Sequence, residues 1–210
     1  GLIAAFVARH DPAFDGDREA AFAQAEERIK AGLAGVAAIN DDRLLRRFRA
    51  LVSAILRTNA FAPAAAEALA FKIDSAQVPG LPKPLPWREI FVYSPRVEGI
   101  HLRAGPVARG GLRWSDRRDD FRTEVLGLMK AQRVKNAVIV PTGAKGGFYP
   151  KQLPDPAKDR DGWLAEGKAS YQVFIRTLLS LTDNIVDGAV AHPDAVVVRE
   201  LQRLTDLRHD

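Results

Sequence analysis

Cysteine is absent from the 210 residues, which excludes disulfides, thiolate nucleophiles and cysteine-ligated zinc and is compatible with a reducing compartment. No apolar run reaches the roughly 18 residues that a membrane span needs. The opening GLIAAFVARH is too short for a signal peptide and lacks a cationic leader, so the expectation is a cytoplasmic protein. Histidine is sparse: His10, His101, His192 and His209 are scattered, no HExxH spacing occurs, and no metal site is expected. A phosphate loop of the form GxxxxGK[ST] is missing too, because Lys145 is followed by glycines. No GxGxxG follows a predicted strand, so no dinucleotide site is visible, and no catalytic triad has a good candidate.

What is present describes an ordinary folded chain. With 47% apolar and 27% charged residues, 210 residues fit one or two domains and can bury a sizeable core. The net charge of +5 is concentrated: residues 101–151 hold eleven Lys or Arg against four Asp or Glu, an excess of +7, and the remainder carries −2. Such a basic stretch fits a solvated face, a polyanion groove or a site for a small anion. Several of the cations sit beside glycines in place of a run interleaved with exposed aromatics, which makes nucleic acid the poorer partner.

In chain order, Phe22, Ala25, Ile29, Leu33 and Val36 recur at helical spacing and predict an amphipathic helix over 17–38. Asn40, Asp41 and Asp42 offer capping oxygens for a second helix, whose Leu44, Leu45, Phe48, Leu51, Val52, Ile55 and Leu56 make a continuous apolar face. Arg43, Arg46, Arg47 and Arg49 line its other sides, as a solvated surface or, alternatively, a partner-binding face. A turn after Ala62 and a strand over 68–73 lead to a proline-rich connector, 79–86, that must run extended. Two β-branched and aromatic runs, 89–94 and 97–103, flank Pro95-Arg96 and predict an antiparallel hairpin. The reading continues with a loop over 104–114 and a helix from Ser115 or Asp116 with Phe121, Val125, Leu128 and Met129 buried. A strand over 136–140 follows, with PTGAKGG as the loop at its carboxyl end. A long helix over 161–183 buries Tyr171, Phe174, Ile175, Leu178 and Leu179. The expected fold is α/β, a mixed sheet with flanking helices. It divides into a helical packing segment (1–60), an α/β domain (61–190) and a tail (191–210) with Val198, Leu201, Leu204 and Leu207 at helical spacing.

The segment from Arg109 to Lys151 carries the chemistry. Glycine pairs stand beside lone cations twice, at Arg109-Gly110-Gly111 and Lys145-Gly146-Gly147. Glycine lets backbone approach a ligand closely, and the neighbouring cation supplies charge, which suits a small anion. Arg109, Arg113, Lys135 and Lys145 could converge from loop, helix end and loop. Two would anchor a carboxylate-bearing substrate, and a lysine crowded by them would exchange protons near neutral pH. Lys145 can equally be an ordinary loop lysine, and Arg113 fits a buttress of the loop better than a ligand contact.

RGGLRW, the acidic-headed helix after it, KNAVIVPTGAKGG, FVYSPRVEGIHLR and NDDRLLRRF together resemble the NAD-dependent glutamate dehydrogenases of the very large subunit class, over roughly residues 40–189. The resemblance implies an amino-acid-dehydrogenase-like substrate-binding domain that reversibly deaminates L-glutamate to 2-oxoglutarate and ammonia with NAD. It gives Lys145 the catalytic role, Arg109 with Gly110 and Gly111 the grip on the substrate's side-chain carboxylate, and Lys135 the α-carboxylate, with Lys130 as the alternative. Arg113, Gly143 and Gly146 become supporting positions. Arg109 stands where the smaller enzymes carry a lysine, a change of geometry as well as residue. The family's catalytic aspartate and nucleotide-binding domain are not found before Asp210, so the expectation is the substrate half of an active site within a larger polypeptide, a homo-oligomer whose NAD is bound by a domain outside this chain.

Overall fold

The computed structural model describes residues 1–135 and 142–198, the side chains of Arg133 and Lys135 apart. Three helices come first: α1 (Leu2–His10), α2 (Arg18–Ala34) and α3 (Ile39–Ala54). Asp17 caps α2, its carboxylate accepting from the backbone of Glu19 and Ala20, and Ala25, Ile29 and Leu33 bury against Ala5 of α1. The predicted cap of α3 is corrected. Its N-cap is Ala38, with no side-chain bond, and Asp41 and Asp42 lie inside the first turn, where they complement the helix dipole. Its apolar face also ends sooner than the periodicity predicts. Ile55 and Leu56 belong to strand β1 (Ile55–Thr58), because pairing with a neighbouring strand outweighs local helical preference.

The sheet has six strands in the order β1-β2-β3-β4-β6-β5. Strands β2 (Leu69–Ile73), β3 (Arg88–Tyr93) and β4 (Val97–Arg103) are antiparallel neighbours, as the hairpin reading expected. Strand β5 (Leu112–Trp114) lies within the stretch expected to be loop, and β6 (Ala144–Pro150) occupies the predicted PTGAKGG loop. β6 runs antiparallel to β4 and parallel to β5, so the sheet is mixed. Glycines read as loop formers are here strand residues without room for side chains. A Cβ on Gly147 would stand 2.4 Å from Val125 Cγ2, and one on Gly146 would stand 2.3 Å from Leu112 Cδ2.

Side-chain alternation sends the two sheet faces to different helices. On one face Val92, Val97 and Phe148 bury against Val173, Phe174 and Leu178 of α5 (Arg160–Leu179). On the other, Ile100 and Leu102 bury against Phe121, Val125 and Met129 of α4 (Phe121–Lys135). Each such fully buried side chain contributes roughly 1.5–3 kcal/mol. Helix α4 starts later than expected. Ser115 is fully buried and bonded to Glu124, residues 118–120 form a turn, and the Asp120 carbonyl accepts the first helical N–H, from Glu124. Leu126 is buried in α4 where Leu128 was expected, and Leu128 is half-buried. Helix α5 ends at Leu179, with Tyr171 and Leu179 exposed and Ser170 and Thr177 buried in their stead. A small hairpin of β7 (Asn184–Val186) and β8 (Ala189–Ala191) follows. The strand expected over 136–140 and the helical spacing beyond Val198 lie outside the described residues. Among the described residues no helix is long and apolar enough to cross a membrane.

Candidate functional site

Lys145 is the second residue of β6, opposite Leu102 of β4. Alternation along β6 puts it on the same face as Gly147, whose Cβ position meets Val125, so Lys145 projects on the α4 side of the sheet. The segment entering β5 lies alongside it. The Arg109 backbone bridges Gly143, its N–H donating to Thr142 O at 3.3 Å, and Ala144 N–H donates back to Arg109 O at 3.0 Å. Gly146 N–H donates to Gly111 O at 3.1 Å. Gly110 is required by this approach, since a Cβ there would sit 1.5 Å from the Ala144 carbonyl oxygen. The Lys145 amine lies 3.8 Å from where a Gly111 Cβ would be, so the missing side chain leaves space beside the ammonium. The two glycine-cation motifs, 36 residues apart in sequence, are therefore stitched together backbone to backbone.

Arg113, two residues beyond Gly111 and so on the same face, donates from Nε to Glu124 at 2.7 Å, and the Ser115 hydroxyl donates to the other Glu124 oxygen at 2.7 Å. These bonds, Ser115 first and then Arg113, hold the Glu124 carboxyl below the usual carboxylate range. Glu124 thus ties β5 to α4. Nothing local in the sequence marks this residue, because its partners lie in another element. The Thr142 hydroxyl donates to the Val107 carbonyl, binding the loop after β4 to the start of β6. Lys130 is exposed on α4, and the side chain of Lys135, the last residue of that helix, lies outside the described residues.

Behind Gly146, on the opposite face, stands His101 of β4, whose Cδ2 is 3.1 Å from the Cβ position of that glycine. Burial, and secondarily the positive charge of Arg103, push its imidazole down to about 4, so it is neutral at pH 7. Its place on the strand is legible from alternation, but its burial depends on packing that no local pattern carries. Among the described residues no group of His, Asp or Glu could hold a metal ion.

A mixed sheet covered by a helix on each face, with a lysine and an arginine loop joined at glycine pairs, defines a dehydrogenase-like α/β domain. The family model described as bacterial NAD-glutamate dehydrogenase, catalytic domain, matches residues 28–203. The chain belongs to that family. It is 56% identical over 203 residues to the NAD-specific glutamate dehydrogenase of Halomonas elongata, covering 93% of this chain and 12% of that protein. The protein of the same name from Mycobacterium tuberculosis is 58% identical over 182 residues, covering 81% of this chain and 11% of its own length. One from Neurospora crassa is 31% identical over 152 residues, covering 68% and 14%. The chain spans about an eighth of the length of the relatives it matches, as the 12% and 14% shares state.

Proposed function

We propose that this chain is the substrate-binding part of an NAD-dependent glutamate dehydrogenase, which reversibly converts L-glutamate to 2-oxoglutarate and ammonia. The observation that carries the reading is the Lys145 amine standing beside side-chain-free Gly111, at the joint where the Arg109 segment pairs with β6. The name that the relatives share, NAD-specific glutamate dehydrogenase, supports it. In this reading Lys145 polarises the substrate carbonyl and exchanges protons with an aspartate contributed from outside this chain. Arg109 grips the side-chain carboxylate and Lys135 the α-carboxylate, while Arg113, Gly143 and Gly146 support them. NAD supplies the hydride acceptor. In this reading NAD is bound by another part of the parent polypeptide, which we place in the cytoplasm as a homo-oligomer of amino-acid catabolism.

The test is Lys145→Met in the parent enzyme, with glutamate-dependent NADH production as readout. The expected result is a loss in kcat of roughly a hundred- to ten-thousandfold with KM for glutamate changed only a few-fold, since proton transfer is lost while the carboxylate anchors remain. A kcat within a few-fold of wild type would make Lys145 a structural residue and end this mechanism.

A further inference from the structure

An apolar groove lies between α3, the connector after β2 and the α4 face of the sheet. Its cavity of about 480 Å³ is floored by Phe71, Phe91 and Ile100 and walled by Leu51, Ile55 and Leu81. Its polar margin is satisfied internally. Glu89 accepts from Arg122 at 3.0 and 3.1 Å and from the Ser75 hydroxyl at 2.8 Å.

The groove continues beyond the cavity. At 100° per residue, Leu44, Phe48 and Leu51 fall on one stripe of α3, spaced i, i+4 and i+7, and Ile55 at the start of β1 continues the apolar line into the cavity. The inner two line the cavity, and the outer two are 52% and 48% exposed. The helical stripe is about 10 Å long at 1.5 Å per residue, the length of two turns of a facing helix. A compact small molecule would fill the cavity and leave the outer stripe in water. Arg43 and Arg47 stand along one edge, both exposed, whereas Arg46 and Arg49 pair with Asp42 and Glu26. Asp41, in the first turn, lies towards the other edge.

We propose that this groove receives an amphipathic helix with carboxylates along one edge, supplied by the same polypeptide from outside residues 1–210. The apolar stripe and floor match a helix-in-groove mode of recognition, read by i, i+3, i+4 and i+7 anchors. The basic edge selects an acidic partner. The source follows from length: the chain spans 12% of the Halomonas relative, so most of that polypeptide lies outside the matched stretch. A tethered segment competes at high effective concentration against any free partner. A second copy is disfavoured, because stripe-to-stripe antiparallel packing under two-fold symmetry sets each Arg43 and Arg47 edge against its own image.

The experiment places a photo-crosslinking benzoylphenylalanine at Phe48, or at Leu44 as a second variant, in the full-length parent polypeptide, with Tyr171 on the exposed side of α5 as control. The expected product is an internal crosslink, unshifted in mass on a denaturing gel, to one peptide from outside residues 1–210 with helical apolar spacing and Asp or Glu beside it; a crosslink to residues 199–210 would overturn the proposal. Arg43→Glu with Arg47→Glu should lower its yield several-fold. A product of twice the mass, capture only of solvent, small molecules or other proteins, a yield no higher than at Tyr171, or indifference to the charge reversals would each overturn the proposal.

Discussion

His101 should make the fold sensitive to mild acid. Its imidazole is held at about 4 in the folded chain, against an ordinary value of 6.5. The unfolded state therefore takes up this proton first as pH falls, and stability rises with pH across the interval. The stabilisation is complete above about pH 6.5, drains as pH falls through the window, and stops changing near 4. At 1.36 kcal/mol per pH unit, the interval corresponds to roughly 3 kcal/mol, an order-of-magnitude figure and a large share of a domain's net stability. Glu67, Glu124, Glu166 and Asp183 are also held below their ordinary values. Those carboxylates act lower on the scale, because their stabilisation is present above the unfolded value and is lost as pH falls through the folded one. The assay is urea unfolding followed by tryptophan fluorescence at half-unit steps from pH 8 to 4.5, for wild type and His101→Gln. Wild type should lose stability below pH 6 more steeply than the variant, by a slope approaching one proton. Parallel curves for the two proteins between pH 6.5 and 4.5 would refute the assignment.

Gly110→Ala should force the Arg109 segment off β6, costing about 1–3 kcal/mol or more by overpacking, because the added carbon meets backbone that cannot rotate away; unchanged unfolding midpoints would contradict the close approach. Glu124→Gln should destabilise by about 1 kcal/mol, a charge-assisted bond discounted for the half-exposed Arg113 partner, and its effect should vanish in acid, where the wild-type carboxylate is itself protonated. In the parent enzyme, Arg109→Met should reduce kcat/KM for glutamate about ten- to a hundredfold while sparing norvaline, whereas Lys135→Met should weaken both alike; the reverse pattern would exchange the two anchors.

The parts of the fold legible in the sequence are those fixed by local patterns. The β3–β4 hairpin follows from two β-branched runs about Pro95-Arg96, and α2 from apolar residues three or four apart. The pairing of β6 is non-local: seven partners on β4, from Val97↔Pro150 to Arg103↔Ala144, make a strand of a sequence whose glycines resemble a turn. Strand β5, three residues long, exists through its parallel register with β6. The start of α4 was obscured because Asp116, Asp119 and Asp120 suit a first turn, yet Ser115 is drawn into the core by Glu124. Periodicity correctly marks Leu44 and Phe48 as one face of α3, but it carries no information about what covers that face. At the site, the cations and glycines were legible as residues. Their juxtaposition was not, since it rests on backbone bonds between segments more than thirty residues apart.

The shift of Lys145 from an expected loop to a strand changes what the glycines do. In a flexible loop, Gly146 and Gly147 would allow the lysine to move towards a ligand, and the entropy of ordering that loop would count against binding. In β6 the Lys145 backbone is held between β4 on one side and the β5 segment on the other. Gly146 and Gly147 exist there because Leu112, His101 and Val125 fill the space where side chains would stand. The freedom that remains is in the lysine side chain and in the gap above Gly111. A paired strand fixes the Lys145 backbone without a ligand, so that only the side chain is left to order when a ligand binds. The glycine-rich signature is thus a packing constraint that brings two backbones and one lysine side chain together, and in the proposed function the bare Gly111 position is the room for a substrate.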